Sequence, residues 1–75
     1  MSNFRDTVIK SANAARAAGQ TISINWDIPT VAIDCMDGTY YYFQEHEASQ
    51  LLDEADSNRD DISVEDYLLW SAQSW

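Results

Sequence analysis

Apolar residues recur at helical spacing near the start of the chain, where Phe4, Val8, Ala12 and Ala15 fall on one stripe. The alanine-rich run to Ala18 has high helix propensity. Asn3 with Asp6 three residues on makes a capping-box-like start, and Gly19 supplies the left-handed residue that stops a helix. The pattern predicts a helix over 4–18. Its stripe is narrow and built of small side chains, so the helix is expected to lie close against a sheet.

The hydrophobic period then shortens from that of a helix to that of a strand. Ile22, Ile24, Trp26 and Ile28 alternate with Ser23, Asn25 and Asp27, which predicts a half-buried strand over 21–28. Pro29 presets its own φ and donates no ladder hydrogen bond, so 27–30 reads as a turn. A second strand is predicted over 31–36, a two-residue turn at Asp37-Gly38, and a third strand over 39–43. The two-residue turn sets Cys35 opposite Tyr40, Ile33 opposite Tyr42, Asp34 opposite Tyr41 and Ala32 opposite Phe43. The turn at 27–30 sets Ile24 beside Ile33 and Ile22 beside Cys35. These registers gather Ile22, Ile24, Trp26, Val31, Ile33, Cys35, Tyr40 and Tyr42 on one face for the first helix to cover.

Helical spacing returns with Ala48, Leu51, Leu52 and Ala55, which predicts a helix over 45–56 with Glu45 and Glu47 at its start. A polar linker, 57–61, follows. Ser63 and Asp66 form a second capping pair that opens a helix to about Ser74, with Val64, Tyr67, Leu68, Ala72 and Trp75 on its stripe. The expected fold is α+β, in the order α-β-β-β-α-α. It is a three-stranded antiparallel meander with an N-terminal helix and two short C-terminal helices, in one domain spanning residues 1–75.

Composition narrows the function. At 75 residues and 45% hydrophobic, with three Trp, four Tyr and two Phe, the chain suits one small folded domain and not a disordered acidic tail. Thirteen acids against four bases give a net charge of −9, which disfavours direct binding to nucleic acid or to anionic membranes. The charge is uneven. Residues 1–26 sum to +2 through Arg5, Lys10 and Arg16 against Asp6, and residues 27–75 sum to −11. The single Cys35 excludes an intramolecular disulfide. No run is long enough for a transmembrane helix, and Met1 to Asp6 lack the apolar stretch of a secretory leader. A cytoplasmic monomer is expected.

Catalytic and metal-binding patterns are thin. His46 sits between Glu45 and Glu47, but no Ser or Cys is tied to it by a recognisable spacing, so it reads as a surface side chain. Cys35 reads as a small buried hydrophobe on the middle strand. The two glycines form no phosphate loop. Asp56-Ser57-Asn58-Arg59-Asp60 matches the opening of a calcium loop, yet Asp61 stands where that loop needs glycine and Tyr67 where it needs glutamate. The expectation is a protein that is not an enzyme and uses no cofactor and no metal.

The acidic surface remains. Asp34 and Asp37 belong to the hairpin, Glu45, Glu47, Asp53, Glu54 and Asp56 to the second helix, and Asp60 and Asp61 to the linker. Carboxylates on successive helical turns stand about 5–6 Å apart, comparable with phosphates along a DNA strand. Like charges held this close cost folding stability, which argues for a use. In its short single-domain format, its helix over 4–18, its hairpins around Asp37-Gly38 and its acidic 45–66 segment, the chain resembles the phage-encoded anti-CRISPR proteins. Among these it is most similar to the small acidic inhibitors of type I Cascade complexes. The resemblance is one of format and rests on no motif. It implies a DNA mimic that engages a basic nucleic-acid-binding complex, the PAM-reading subunit of Cascade above all, and blocks target DNA. The bases Arg5, Lys10 and Arg16 depart from a uniform mimic and imply that one side engages. The alternative is an antitoxin-like or adaptor-like module that binds through exposed aromatics. Tyr41 and Phe43, on the outer sheet face, and Trp70 and Trp75 near the C-terminus are its candidates, unless the two C-terminal helices cover that face.

Overall fold

Each end of the first helix shows how local sequence sets an element's limits. The computed structural model describes residues 3–75, so Met1 and Ser2, on which the leader reading partly rests, lie outside the described residues. Helix α1 spans Phe4–Ala17. At its C-terminus Gly19 adopts φ +99, its N–H donates to the Arg16 carbonyl, and the Gln20 N–H donates to the Ala15 carbonyl. This pair of reversed bonds is a Schellman stop, and it needs the left-handed residue that glycine provides. The N-terminus departs from expectation. Asn3 has φ −97 and ψ 7 and its side chain makes no capping hydrogen bond, because a capping side chain reaches the first turn from an extended backbone.

The remaining elements are β1 Thr21–Asn25, β2 Thr30–Asp34, β3 Tyr40–Gln44, α2 Glu45–Asn58 and α3 Val64–Ala72. The order is α-β-β-β-α-α, with an antiparallel sheet β1-β2-β3. Strand β3 passes into α2 without a loop. Glu45 turns the corner at φ +55, held by its N–H donating to the Pro29 carbonyl at 2.9 Å. At α3 the Ser63 hydroxyl accepts the Asp66 N–H at 3.1 Å, the N-cap expected there. This helix stops at Ala72, short of Ser74, and the last residues continue as tighter turns with Gln73, Ser74 and Trp75 each donating three residues back.

Both hairpin registers differ from expectation, with unequal consequences. Asn25 pairs with Thr30, Ile24 with Val31 and Ile22 with Ile33, a shift of two residues that preserves the face of every side chain. The loop is Trp26 to Pro29, closed by the Asn25 carboxamide oxygen accepting the Asp27 and Ile28 N–H groups. Trp26 and Ile28 therefore leave the strand and are exposed. In the second hairpin Asp34 pairs with Tyr40, Ile33 with Tyr41 and Val31 with Phe43. This slip of one residue inverts β3. Tyr41 and Phe43 join Val31 and Ile33 on the core face, and Tyr40 and Tyr42 turn outward. The loop has three residues, Met36-Asp37-Gly38, with Met36 at φ +63 and Gly38 at φ +96. Asp34 accepts the Met36 N–H and Asp37 accepts the Thr39 N–H, each at 3.0 Å. Two side-chain turns thus outcompete the tight turn that Asp-Gly advertises.

The helix expected on the sheet is also a different one. Val31 and Ile33 are buried with Ala48, Leu52 and Ala55 of α2 and Leu68, Leu69 and Ala72 of α3. Helix α1 packs chiefly along α3, burying Val8, Ala12 and Ala15. Its small stripe suits close approach to a helix as well as to a sheet. The Arg16–Asp66 ion pair at 2.6 Å and the Gln73 carboxamide donating to the Ser11 hydroxyl at 2.6 Å tie the two helices at their rims. The shortest dimension, 18 Å, holds one sheet layer and one helix layer. The other face of the sheet carries no helix. Ile62, 1% exposed, belongs to the core although two acids, Asp60 and Asp61, precede it. No helix among the described residues is long and apolar enough to cross a membrane.

Candidate interaction site

Helix α2 carries five acids and neither Lys nor Arg. Its buried stripe is Ala48, Leu52 and Ala55. At about 100° per residue, Glu45, Asp53 and Asp56 project to one side of that stripe and Glu47 and Glu54 to the other, all five exposed. The array is therefore two rails along the helix. Glu47 and Glu54 stand two turns, about 10.5 Å, apart along the axis, so the spacing of successive turns applies to Asp53 and Asp56. Glu45 and Glu47 occupy the first turn, where the helix dipole favours them. Asp53, Glu54 and Asp56 lie towards the other end, where the unpaired carbonyls favour cations.

Little compensates these charges. Among the described residues the ion pairs are Arg16–Asp66 and Arg59–Asp56. Arg59 also donates to the Ile62 carbonyl at 3.0 Å, which shapes the 59–63 loop and places a guanidinium inside the stretch that opens like a calcium loop. Asp60 and Asp61 follow at φ +46 and φ +74 and are exposed. No cluster of three or more His, Cys, Asp or Glu among the described residues could hold a metal ion.

The nine sequence-selected acids do not form one patch. Asp34 lies on the sheet face opposite the helices, and Asp37 on the hairpin tip. Glu45 follows the other end of β3, so Asp37 and Glu45 mark opposite ends of that strand. The α2 acids and the Asp60-Asp61 loop belong to the helix layer. Asp37 has its carboxyl held below the ordinary range by the backbone and side-chain hydrogen bonds from Thr39. His46 is exposed at the start of α2.

Cys35 is half-buried at the end of β2. Partial burial pushes its thiol up, and the nearby Asp37 and Asp34 carboxylates add to this, the reverse of what an activated nucleophile needs. The thiol lines a cleft of about 260 Å³ with Gln20, Asp37, Thr39, Tyr41, Gln73 and Trp75.

The aromatics divide in two. Trp75 packs edge-on against Tyr41 and Phe43 at 5.1 and 5.4 Å, and Trp70 against Phe4 and Tyr67 at 5.3 and 5.4 Å. Of the four expected as an outer apolar surface, Tyr41, Phe43 and Trp70 are thus half-buried within the molecule, whereas Trp75 makes its ring contacts and still stays 44% exposed. Tyr41 and Phe43 face the helices because of the inverted register. The open sheet face instead presents Tyr40 and Tyr42, 61% and 54% exposed, with parallel rings 6.5 Å apart. Sequence reasoning missed this pair. Its only signal was the alternation Tyr40-Tyr41-Tyr42-Phe43, which is aromatic on both faces and carries no information about which side is which. No family model matches the chain, and no curated protein or solved structure does either.

Proposed function

We propose that this protein is a non-enzymatic inhibitor that occupies a basic, duplex-binding surface of another protein and excludes DNA from it. In the reading supported by its resemblance in format to the acidic anti-CRISPR proteins, that surface is the PAM-reading region of a type I surveillance complex in the bacterial cytoplasm. The observation that carries the proposal is α2. A helix that keeps Asp53, Glu54 and Asp56 against its own dipole, with Arg59 on Asp56 the one ion pair near them among the described residues, gives up stability that a merely soluble surface would not need to give up. Exposed carboxylates without partners gain most from a groove lined with Lys and Arg, because charge-assisted hydrogen bonds exceed neutral ones.

A competition assay with purified surveillance complex and labelled target duplex tests this at two salt concentrations. The protein should displace the duplex at low salt and progressively fail to do so as salt rises. The pair Glu47→Lys with Glu54→Lys, both on exposed positions, should abolish displacement and leave the fold intact. Simultaneous binding of protein and duplex, or full displacement by the charge-reversed pair, contradicts the proposal.

A further inference from the structure

No helix among the described residues covers the open face of the sheet. Its side chains are Thr21, Ser23 and Asn25 from β1, Thr30, Ala32 and Asp34 from β2, and Tyr40, Tyr42 and Gln44 from β3. It holds one acid and no base. Ala32 lies between Ser23 and Tyr42 across the strands, so no bulky neighbour fills the space beside the ring. The two tyrosine rings are parallel at 6.5 Å, one two-residue repeat of a strand. The strand sets their spacing, and their π surface stays open to solvent. Asp34 is the direct cross-strand neighbour of Tyr40, and one of its carboxylate oxygens accepts the Met36 N–H. Among the described residues the second oxygen accepts no hydrogen bond.

We infer that this face is a docking surface for an arginine-bearing segment of a basic protein, with the guanidinium stacked on Tyr40 and Tyr42 and paired to Asp34. The inference rests on the proposed basic partner and gives that partner a second point of contact, on the face opposite the acids of α2. Charge complementarity selects the occupant. Asp34 on the face, with Asp27 and Asp37 in the loops at its two ends, favours a cation, and a net charge of −9 opposes both a second copy of this chain and nucleic acid. The ring pair selects arginine over lysine, because a planar guanidinium stacks on an aromatic face and bridges a carboxylate in two bonds, whereas an ammonium is a compact hydrated point charge.

The test uses two labelled peptides of about eight residues, enough to cross a sheet of this width, one alternating Arg and Thr and the other Lys and Thr. Binding to the whole protein is followed by fluorescence anisotropy at low salt. The arginine peptide should bind about tenfold tighter than the lysine peptide. Tyr40→Leu with Tyr42→Leu keeps apolar bulk on exposed positions, and an unchanged thermal melt verifies the fold. That variant should lose the preference, and Asp34→Asn should reduce it. Equal binding of the two peptides, or a preference that survives the double leucine variant, overturns the inference. If both peptides bind equally and Glu47→Gln with Glu54→Gln releases them, the docking face is wrong and the basic-partner reading stands. If neither peptide binds and the protein fails to displace duplex from the surveillance complex, both fall.

Discussion

The two hairpins share β2 yet respond differently to the same kind of reading. In the first, the pairing lies two residues from the position that the proline suggests, and Ile22, Ile24, Val31 and Ile33 still meet on one face. In the second, the pairing lies one residue away, and the whole of β3 turns over. Side-chain direction in a strand depends only on parity, so an even error is harmless and an odd error inverts the surface. The difference decides which tyrosines are structure and which are surface.

Four sets of measurements break or sharpen this contrast. The largest effect belongs to the shared strand. Ile33 is fully buried, and Ile33→Ala should cost about 2–5 kcal/mol in a urea melt. A loss below about 1 kcal/mol would place Ile33 outside the core and dissolve both registers. Next comes the parity of β3. Phe43→Ala, against Trp75 and the core, should cost about 2–3 kcal/mol, reduced from the value for a full cavity by its partial exposure. Tyr42→Ala should stay within about 0.5 kcal/mol. The opposite ranking would restore the two-residue turn.

The glycines give a smaller contrast. Gly19 and Gly38 both hold a left-handed backbone, at φ +99 and φ +96, but a Cβ on Gly19 meets Met36 Cγ at 3.1 Å whereas one on Gly38 meets nothing within 4 Å. Gly38→Ala should therefore cost about 1 kcal/mol from strain alone, and Gly19→Ala should cost more by whatever the Met36 side chain cannot yield. Equal losses would show that Met36 moves freely.

The smallest effects are those of pH, and they have opposite signs at two positions of one hairpin. Asp37 is lowered in the folded state from 3.8. Its contribution is thus complete above that value and fades as pH falls through the lower folded pKa. Cys35 is raised from 9.0. Its neutral thiol contributes fully below that value, and the contribution is lost as pH rises through the higher folded pKa, because the unfolded thiol ionises first. Melts of Asp37→Asn and Cys35→Ser across both ranges should each remove one limb. Alkylation of Cys35 should run slower than that of an unfolded control.

Much of the fold was legible because it depends on local signals. The Ala12–Ala15 stripe with the Gly19 stop, the Ser63 cap and the alternation through Ile22 and Ile24 each locate an element without reference to the rest of the chain. What failed was relational. Asn25, Asp34 and Asp37 each had a choice between ladder and side-chain turn, and Asp-Gly is a strong hairpin signal that two aspartate turns overrode. Which helix covers the sheet was also beyond the pattern, since a stripe of small residues fits a helix or a sheet. For the candidate site, the identity of the acids was visible, and their separation into two rails, a hairpin tip and an open face needed the tertiary arrangement.

Strand β1 sits at the margin of the sheet with a neighbour on one side only, and Thr21 to Asn25 hold no charged side chain. Such a margin is a template for any chain that pairs with it, and proteins usually guard it with a lysine, a proline or a bulge. Here the guard is global and titratable. Mutual repulsion from a charge of −9 keeps copies apart at neutral pH, and it vanishes near the isoelectric point of about 4.1. The protein's colloidal life is then bounded on the acid side. Light scattering should rise there before the fold melts, and a lysine at Ser23 should delay that rise by guarding the margin where it is bare.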